Sequence, residues 1–264
     1  MPHVTQSRPP AFTPNWPARI AWLALIVYCF YAASILDVTW DRFVTGIDNG
    51  LRFLGRMVPP DTEASKMKLL AKGLWESIEI AVISSALGIV LSLPIGLLAA
   101  RNLMPPWVTW PMRLFIALCR SFHQVIIAIV FVKAVGFGAL AGILALTVAS
   151  IGFTGKLFAE AIEEISLKQV EAIRATGAPF ASVIAYGVLP QVLTRFVGFA
   201  TYQVDSNLRN STMVGMVGAG GIGGTMFAAF QRFDYDFLCT ILLAIIAVIM
   251  ISEALQNQIK KLYQ

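Results

Sequence analysis

The stretch from Gly218 to Gly223 is a candidate for chemistry because its spacing, Gly-x-Gly-x-x-Gly, is that of a dinucleotide-binding turn. Such a turn also needs a preceding strand, a following helix and an acidic residue about 20 positions later, within one βαβ unit. Long apolar segments on both sides leave no room for that unit. We therefore expect these glycines to bend the chain or to let backbones approach closely, at a gate or a packing site. The set is Gly218, Gly220, Gly221 and Gly223.

Ionisable side chains inside apolar segments form a second group of candidates. Asp205 and Arg209 are spaced by one helical turn, which allows an ion pair. Arg120, followed by Ser121 and His123, interrupts another apolar segment. Charges at such depth cost free energy and usually face a bundle interior or a water-filled path. Two interpretations stay open for the pair: it joins helices, or, with Arg120, it lines the path of an anion.

Catalytic and metal sites are not indicated by the residue pattern. No Ser/His/Asp set or pair of carboxylates has a suitable arrangement, and the three cysteines are far apart in apolar runs. The string 152–157 lacks both the loop length and the Ser/Thr of a Walker A sequence. The sequence therefore predicts no catalytic residue, metal or cofactor in this chain.

Composition sets the class of protein that must position these residues. Hydrophobic residues make up 57% of the 264 residues, charged residues only 13%, and the mean hydropathy is +0.73. A soluble domain is about a quarter charged, so lipid is the expected solvent here. The net charge of +5 would suggest nucleic acid in a soluble protein. Here the basic residues mostly flank apolar runs and orient helices, so no nucleic-acid partner is expected.

The apolar runs predict an all-α polytopic membrane protein with about six transmembrane helices. Each crossing of the hydrocarbon layer needs about 20 apolar residues. The predicted spans are 20–36, 80–100, 113–132, 134–155, 192–214 and 236–253.

The remaining segments give the domain organisation. We predict a disordered cytoplasmic tail, a first transmembrane helix, an external loop with an amphipathic helix, a transmembrane core and a cytoplasmic tail. Their bounds are 1–18, 19–36, 37–72, 73–256 and 257–264. The distribution of Lys and Arg favours cytoplasmic termini. The external loop fits that rule poorly, because it carries six basic residues.

A cytoplasmic loop at 161–187 has the features of a docking surface. A short amphipathic helix is predicted over 166–175, with Glu171, Ala172 and Arg174 on it. Gly177 can supply the left-handed residue that ends this helix, and the proline that follows prevents its continuation. Two short helices at an angle form a knob, and a knob of this kind is suited to docking on a partner.

From residue 171 to residue 190, the chain resembles the signature of permease subunits in binding-protein-dependent ABC importers. That signature reads Glu-Ala-Ala, three residues, Gly, nine residues, Ile, one residue, Leu-Pro. The positions in register are Glu171, Ala172, Gly177, Leu189 and Pro190. Two positions depart from it, since Ile173 replaces the second Ala and Gly187 stands in place of Ile. Neither change removes the helix, the glycine break or the acidic residue.

Short segments on both sides of this signature resemble the phosphonate importer permeases in particular. With these segments the resemblance extends over roughly 70–255. The segments are 120–121, 160–165, 186–191, 207–209 and 219–223. The resemblance implies a type I importer permease whose coupling helix fits a cleft on a separate ATPase and whose spans carry a phosphorus oxyanion by alternating access. It also implies two membrane subunits, expected to be a homodimer, with two ATPases and an external solute-binding protein.

Alternatives stay open at this point. The chain could be a permease of the same superfamily for another solute, of the methionine or phosphate type. A membrane-embedded enzyme would require clustered acids, bases or metal ligands at one membrane depth, and the sequence offers none. A heterodimer with a second permease is also compatible with a single docking loop per chain.

Overall fold

The computed structural model describes residues 15–36 and 39–263, with side chains as far as 258, and each regular element in these ranges is a helix. The all-α prediction is therefore confirmed. The tail predicted to be disordered lies mostly outside the described residues. The chain divides into two compact units, residues 1–56 and 57–264.

The first unit contains two helices, α1 (Trp16–Ile35) and α2 (Trp40–Arg56). α1 begins before the predicted boundary at residue 19, so the end of the predicted tail is wrong. Pro17 lies in the first turn, where its missing N–H would have had no helical partner in any case. On α2 an Asp48–Arg52 ion pair of 2.7 Å bridges one turn. Its apolar residues follow a helical period, which gives the helix one polar and one apolar face.

The second unit contains eight helices among its described residues. They are α3 (Ala64–Ala99), α4 (Pro106–Ser121), α5 (Gln124–Val135), α6 (Ala139–Glu163), α7 (Leu167–Ala175), α8 (Phe180–Gly215), α9 (Ile222–Gln231) and α10 (Tyr235–Tyr263). Within α8 the segment Val183–Val188 is π-helical, with one α-helical turn before it. Five helices of the described chain are long and apolar enough to cross a membrane, or six if the bent pair α4–α5 counts as one crossing.

The third predicted span, 113–132, is wrong as a continuous helix. α4 and α5 meet at 89° across Phe122 and His123. Phe122 is extended, with φ −106° and ψ 138°, and the His123 Nδ1 accepts a 3.4 Å hydrogen bond from the Val125 N–H at the start of α5. His123 therefore lies in a break between helices. Polar residues at 120–124 coincide with the break, but polar residues also occur inside continuous spans, so they did not distinguish a break from a continuous helix.

Further boundaries differ from the predictions. α8 begins at Phe180 rather than at 192, inside the predicted loop 161–187, and α6 continues to Glu163 rather than ending at 155. α3 begins at Ala64, inside the predicted loop 37–72. The charged residues on its first turns lower the local hydropathy, so a prediction from apolar runs places the start of the helix too late. α9 was not predicted, since glycines precede it. α10 continues through the predicted tail 257–264 as far as Tyr263. Hydropathy indicates where a helix leaves the lipid, whereas backbone hydrogen bonding determines at which residue the helix ends.

The centre of the second unit is formed by α3, α6 and α8, which pack tightly because small residues lie at the contacts. A Cβ atom on Gly88 of α3 would lie 2.3 Å from the Ser150 Cβ of α6. A Cβ atom on Gly96 would lie 2.7 Å from the Phe158 Cβ. Close backbone approach replaces the hydrophobic effect as the main attraction between helices in lipid.

An ion cluster joins the start of α3 to the segment before α10. The Lys66 Nζ lies 2.7 Å from one oxygen each of Asp61 and Asp234. The Thr240 hydroxyl donates a 2.7 Å hydrogen bond to the Asp61 carbonyl, and the Asp61 N–H donates to the Asp236 carbonyl at 3.2 Å. The hydrogen bond from Lys66 and that from the Glu63 N–H lower the pKa of the Asp61 carboxyl. The ionised form of Asp61 is thus the form that the fold stabilises.

We predict that Asp61→Asn lowers the thermal stability slightly at neutral pH and not at strongly acid pH. Asp61 titrates near 3.8 when unfolded and lower when folded, so its contribution is complete above that value. The contribution disappears as the pH falls through the lowered pKa of the folded state. Thermal unfolding of the wild type and variant in detergent, from pH 7 downwards, measures this difference. Asp41→Asn, an exposed acid on α2, is the control and should show no such dependence; equal curves for the Asp61 variant and the wild type would contradict the prediction.

Candidate functional site

α7 is an amphipathic helix that presents its polar side to solvent. Val170 is 1% exposed and Ile173 is partly buried, whereas Glu171, Ala172 and Arg174 are exposed. The spacing of three residues between the two inward positions is that of one helix face. The predicted short helix is confirmed, and the role of its exposed residues in docking stays a prediction.

The end of α7 is formed by a left-handed glycine, as the sequence predicts. Gly177 has φ +78°, and its N–H donates a 3.0 Å hydrogen bond to the Arg174 carbonyl. No atom would lie within 4 Å of a Cβ atom on Gly177, so backbone conformation alone requires glycine there. Pro179 then starts α8 in a new direction. The first short helix of the predicted knob is therefore present, whereas the second is wrong, because Phe180 starts the 36-residue helix α8.

The buried side of α7 rests on the π-helical turn of α8. A Cβ atom on Gly187 would lie 3.3 Å from the Ile173 Cδ1 and 3.4 Å from the Val170 Cα. Val170 belongs to an apolar cluster with Phe158 and Val188. Glycine at position 187, one of the two departures from the resembled signature, thus has a physical reason. It lets α7 lie almost directly on the backbone of the membrane helix.

The side chain of Gln191 ties the start of α7 to α8. Its amide oxygen accepts a 3.0 Å hydrogen bond from the Ser166 N–H, and its Nε2 donates to the Gly187 carbonyl at 2.6 Å and to the Ser166 carbonyl at 3.3 Å. An ion pair between Arg195 and Glu164 joins the end of α6 to α8. Sequence reasoning missed Gln191 as a functional residue, although it directly follows the Leu-Pro of the signature.

Glu163, the last residue of α6, holds the connection between α3 and α4. Its Oε1 accepts hydrogen bonds from the Arg101 N–H at 2.7 Å and from the Arg113 guanidinium at 2.5 Å. The Arg113 Nε donates to the Ala99 carbonyl at 2.9 Å. Through these bonds the end of α6, the end of α3 and the first half of α4 are joined.

The ion pair predicted in the fifth span is confirmed. The Arg209 guanidinium contacts the Asp205 Oδ2 on the same face of α8. The Asp205 side chain is 6% exposed and that of Arg209 is 51% exposed. The second carboxylate oxygen of Asp205 is buried and has no hydrogen-bond partner among the described residues. The arginine therefore reaches outwards from a buried acid.

Arg120, Ser121 and His123 lie at the break between α4 and α5. The Ser121 hydroxyl donates a 2.8 Å hydrogen bond to the Ala117 carbonyl in the preceding turn. Within the ranges that the structure describes, no hydrogen bond or ion pair joins this group to Asp205 and Arg209. No group of three His, Cys, Asp or Glu that could hold a metal occurs among the described residues either.

A buried polar cluster that the sequence did not reveal connects α3, α6 and α8. The Asn207 amide nitrogen is 3.2 Å from the Ser84 hydroxyl oxygen, 3.0 Å from that of Ser85 and 2.8 Å from that of Ser150. The Gln203 amide nitrogen donates to the Asn207 carbonyl oxygen at 2.9 Å. All five residues are nearly inaccessible to solvent. Serines at helical spacing in otherwise apolar runs were the available signal.

The glycine-rich turn before α9 both bends the chain and lets backbones approach closely. Gly218, Gly220 and Gly221 have φ values of +88°, +82° and +79°. The Gly218 carbonyl accepts a 3.0 Å hydrogen bond from the Gly138 N–H at the start of α6. A Cβ atom on Gly223 would lie 1.9 Å from the Thr212 carbonyl oxygen of α8. The bend and the close packing predicted for the glycines are therefore observed, and a role as a gate stays a prediction.

Comparison with known proteins adds evidence of a different kind. A protein-family model described as the binding-protein-dependent transport system inner membrane component matches residues 92–262. The chain is 36% identical over 237 residues to the phosphate-import permease protein PhnE of Mycolicibacterium smegmatis, covering 89% of this chain and 44% of that protein. It thus spans less than half the length of that relative.

Two other proteins are similar over more of their own length. The phosphite transport system permease protein PtxC of Stutzerimonas stutzeri is 36% identical over 243 residues, which covers 92% of this chain and 86% of PtxC. Among solved structures, the inward-facing MetNI methionine ABC transporter matches with a TM-score of 0.69 and 25% identity. That match covers 77% of this chain and all of the other chain.

We predict that Asn207→Ala destabilises the protein by about 1–3 kcal/mol, because the serines and Gln203 then lose a buried partner. Thermal unfolding of the purified protein in detergent measures the effect. Asn210→Ala is the matched control, since that amide donates only one 3.2 Å hydrogen bond, to Ser206 on the same helix. If the two variants unfold at the same temperature, the cluster does not stabilise the bundle.

Proposed function

Because the chain belongs to the family of binding-protein-dependent transport system inner membrane components, we propose that it carries a phosphonate or a related phosphorus oxyanion into the cell. The chain is a multi-pass permease of a type I ABC importer. We also propose which partner supplies its energy, which solute it carries and how it is oriented in the membrane. The observation that carries the proposal is the exposed helix α7, fixed to the membrane helix α8 through Gln191.

The solute is inferred from two lines of support. Relatives at 36% identity are named as permeases for phosphate and for phosphite, and both are phosphorus oxyanions. The chain also carries arginines at Arg120 and Arg209, which create a positive potential for an anion. The neighbour named for methionine is only 25% identical, so a methionine-type solute is the weaker alternative.

Energy enters through the docking of an ATPase on α7. Glu171, Ala172, Arg174 and Gly177 form the exposed surface that the partner contacts. Closure of the ATPase pushes α7, and the hydrogen bonds of Gln191 and the ion pair of Arg195 pass this displacement to α8 and α6. ATP and magnesium are bound by the partner, and this chain transports without catalysing a reaction.

The complete transporter contains a second copy of this chain, two cytoplasmic ATPases and an external solute-binding protein. Each chain has one α7, and closed two-fold symmetry is the commonest arrangement of identical subunits. Both termini lie in the cytoplasm of a bacterial cell, and the apolar exteriors of the long helices face lipid. In this orientation α7 is cytoplasmic, while the glycine turn and the Lys66 cluster are external.

The route of the solute passes Arg120, Ser121, His123, Asp205 and Arg209. Arg209 is the strongest member, because its guanidinium is half-exposed while its partner Asp205 is buried. Binding along the route is weak, since a transporter that held its solute tightly would not release it. Selection of the solute falls mainly to the external binding protein. The glycine turn at Gly218–Gly223 closes the external end of the route.

We expect Glu171→Lys to abolish copurification of the ATPase, because the reversed charge lies at the centre of the exposed face of α7. The measurement is affinity purification of the tagged permease from cells that express the whole transporter, followed by quantification of the ATPase. Glu253→Lys, a charge reversal at an exposed site on α10, should leave copurification unchanged. Retention of the ATPase by the Glu171 variant would show that docking takes place elsewhere.

Transport through the Arg209 region is tested by uptake into reconstituted vesicles. We expect Arg209→Gln to reduce phosphonate uptake at least tenfold while the ATPase stays bound. Because this change leaves the Asp205 carboxylate buried and unpaired, the double variant Asp205→Asn/Arg209→Gln removes both charges together. Arg232→Gln, which removes a charge from an exposed site after α9, is the control. Normal uptake by the double variant would assign the ion pair to helix packing alone.

A further inference from the structure

A cavity of about 170 Å³ lies between α4 and α6. Its lining contains three basic residues and a single acid, together with short apolar side chains. The charged residues are Arg113, Arg120, Lys156 and Glu160. A water molecule occupies about 30 Å³ in the liquid, so the cavity has room for a group of several heavy atoms.

The spacing of the lining residues explains why these charges converge. Arg113 and Arg120 are two turns apart on one face of α4, and Lys156 and Glu160 are one turn apart on α6. Gly152 of α6 lets the two helices approach, since a Cβ atom there would lie 2.7 Å from the Arg120 Cγ. The aliphatic part of the Arg120 side chain therefore lies directly against α6.

The basic residues of the cavity differ in how far their charges are compensated. Arg113 contacts Glu163, and Lys156 lies 3.3 Å from Glu160. Arg120 has neither an ion pair nor a hydrogen bond from its side chain in the part of the chain that the structure describes. Its guanidinium offers five N–H donors in a planar fork. The cavity thus combines one uncompensated arginine with two partly compensated cations.

We propose that this cavity binds a phosphate or phosphonate group. The arginine fork matches two oxygens of such a group, and Lys156 supplies a second, more localised charge. Basic pockets between transmembrane helices near the cytoplasmic surface are suited to phosphorylated head groups. Two sources have the same chemistry: a small oxyanion such as the solute, and the head group of an anionic phospholipid. The proposed site consists of the residues that line the cavity. It does not depend on whether Arg120 also lies on the route of the solute.

Binding is measured on the full transporter purified in neutral detergent, in two arms. In the first, isothermal titration follows inorganic phosphate; in the second, native mass spectrometry follows phosphatidylglycerol against phosphatidylcholine. We expect Arg120→Gln and Lys156→Gln each to weaken binding about tenfold, since each removes a charged hydrogen-bond donor. Lys133→Gln, which removes an exposed charge from the end of α5, should bind as the wild type does. Binding should also weaken as salt is added.

A variant that changes only the shape of the cavity distinguishes binding in the cavity from a general effect of charge on binding. Ala117→Leu places extra carbon atoms in the lining without changing any charge, and it should weaken binding as well. Binding of phosphate alone would assign the site to a small oxyanion, and binding of phosphatidylglycerol alone would assign it to a lipid; both outcomes support the proposal. The proposal is overturned if the wild type binds neither, or if all three cavity variants bind like the wild type. The ATPase copurification test does not depend on this result.

Discussion

Every polar group inside a lipid-embedded bundle must find its partner within the protein, because hydrocarbon offers none. Where α3, α6 and α8 meet, five buried polar side chains satisfy that requirement together. Asn207 and Gln203 on α8 bond with Ser84 and Ser85 on α3 and with Ser150 on α6. The bonds made by these two amides therefore link all three helices at this level of the bundle. The rest of the bundle is arranged around this centre, with small residues at the contacts that allow the helices to come close enough.

The outer parts of the bundle are connected less rigidly and by different chemistry. At the end near α7, single side chains such as Gln191 and Glu163 bridge neighbouring elements through hydrogen bonds to backbone groups. At the opposite end of α3, Lys66 joins two carboxylates. Side-chain bridges of this kind can change partners while the helices themselves stay intact. The bundle thus combines a buried polar centre with more exposed side-chain bridges at both ends.

The sequence allowed prediction of those features that depend on composition or on local backbone chemistry. The number of long helices, the short helix α7 and its end at Gly177 all follow from apolar runs and one glycine. The break at His123 is not fixed by the sequence, because polar residues within an apolar run are compatible with a continuous span as well as with a break. The partners of Asn207 were also out of reach, since serines on α3 and α6 meet it only after the helices pack. Gln191 shows the same limit, as its importance depends on where α7 comes to lie.

The π-helical segment Val183–Val188 has a geometric consequence for the helix beyond it. Each of its hydrogen bonds spans five residues rather than four. Successive side chains are therefore rotated by a smaller angle about the helix axis than in an α-helix. Rewinding these six residues into α form would turn everything after them by about one residue's angle, roughly 100°. Gly187, against which α7 rests, lies inside this segment. α7 therefore contacts α8 at the segment whose winding sets the angular position of the residues beyond it.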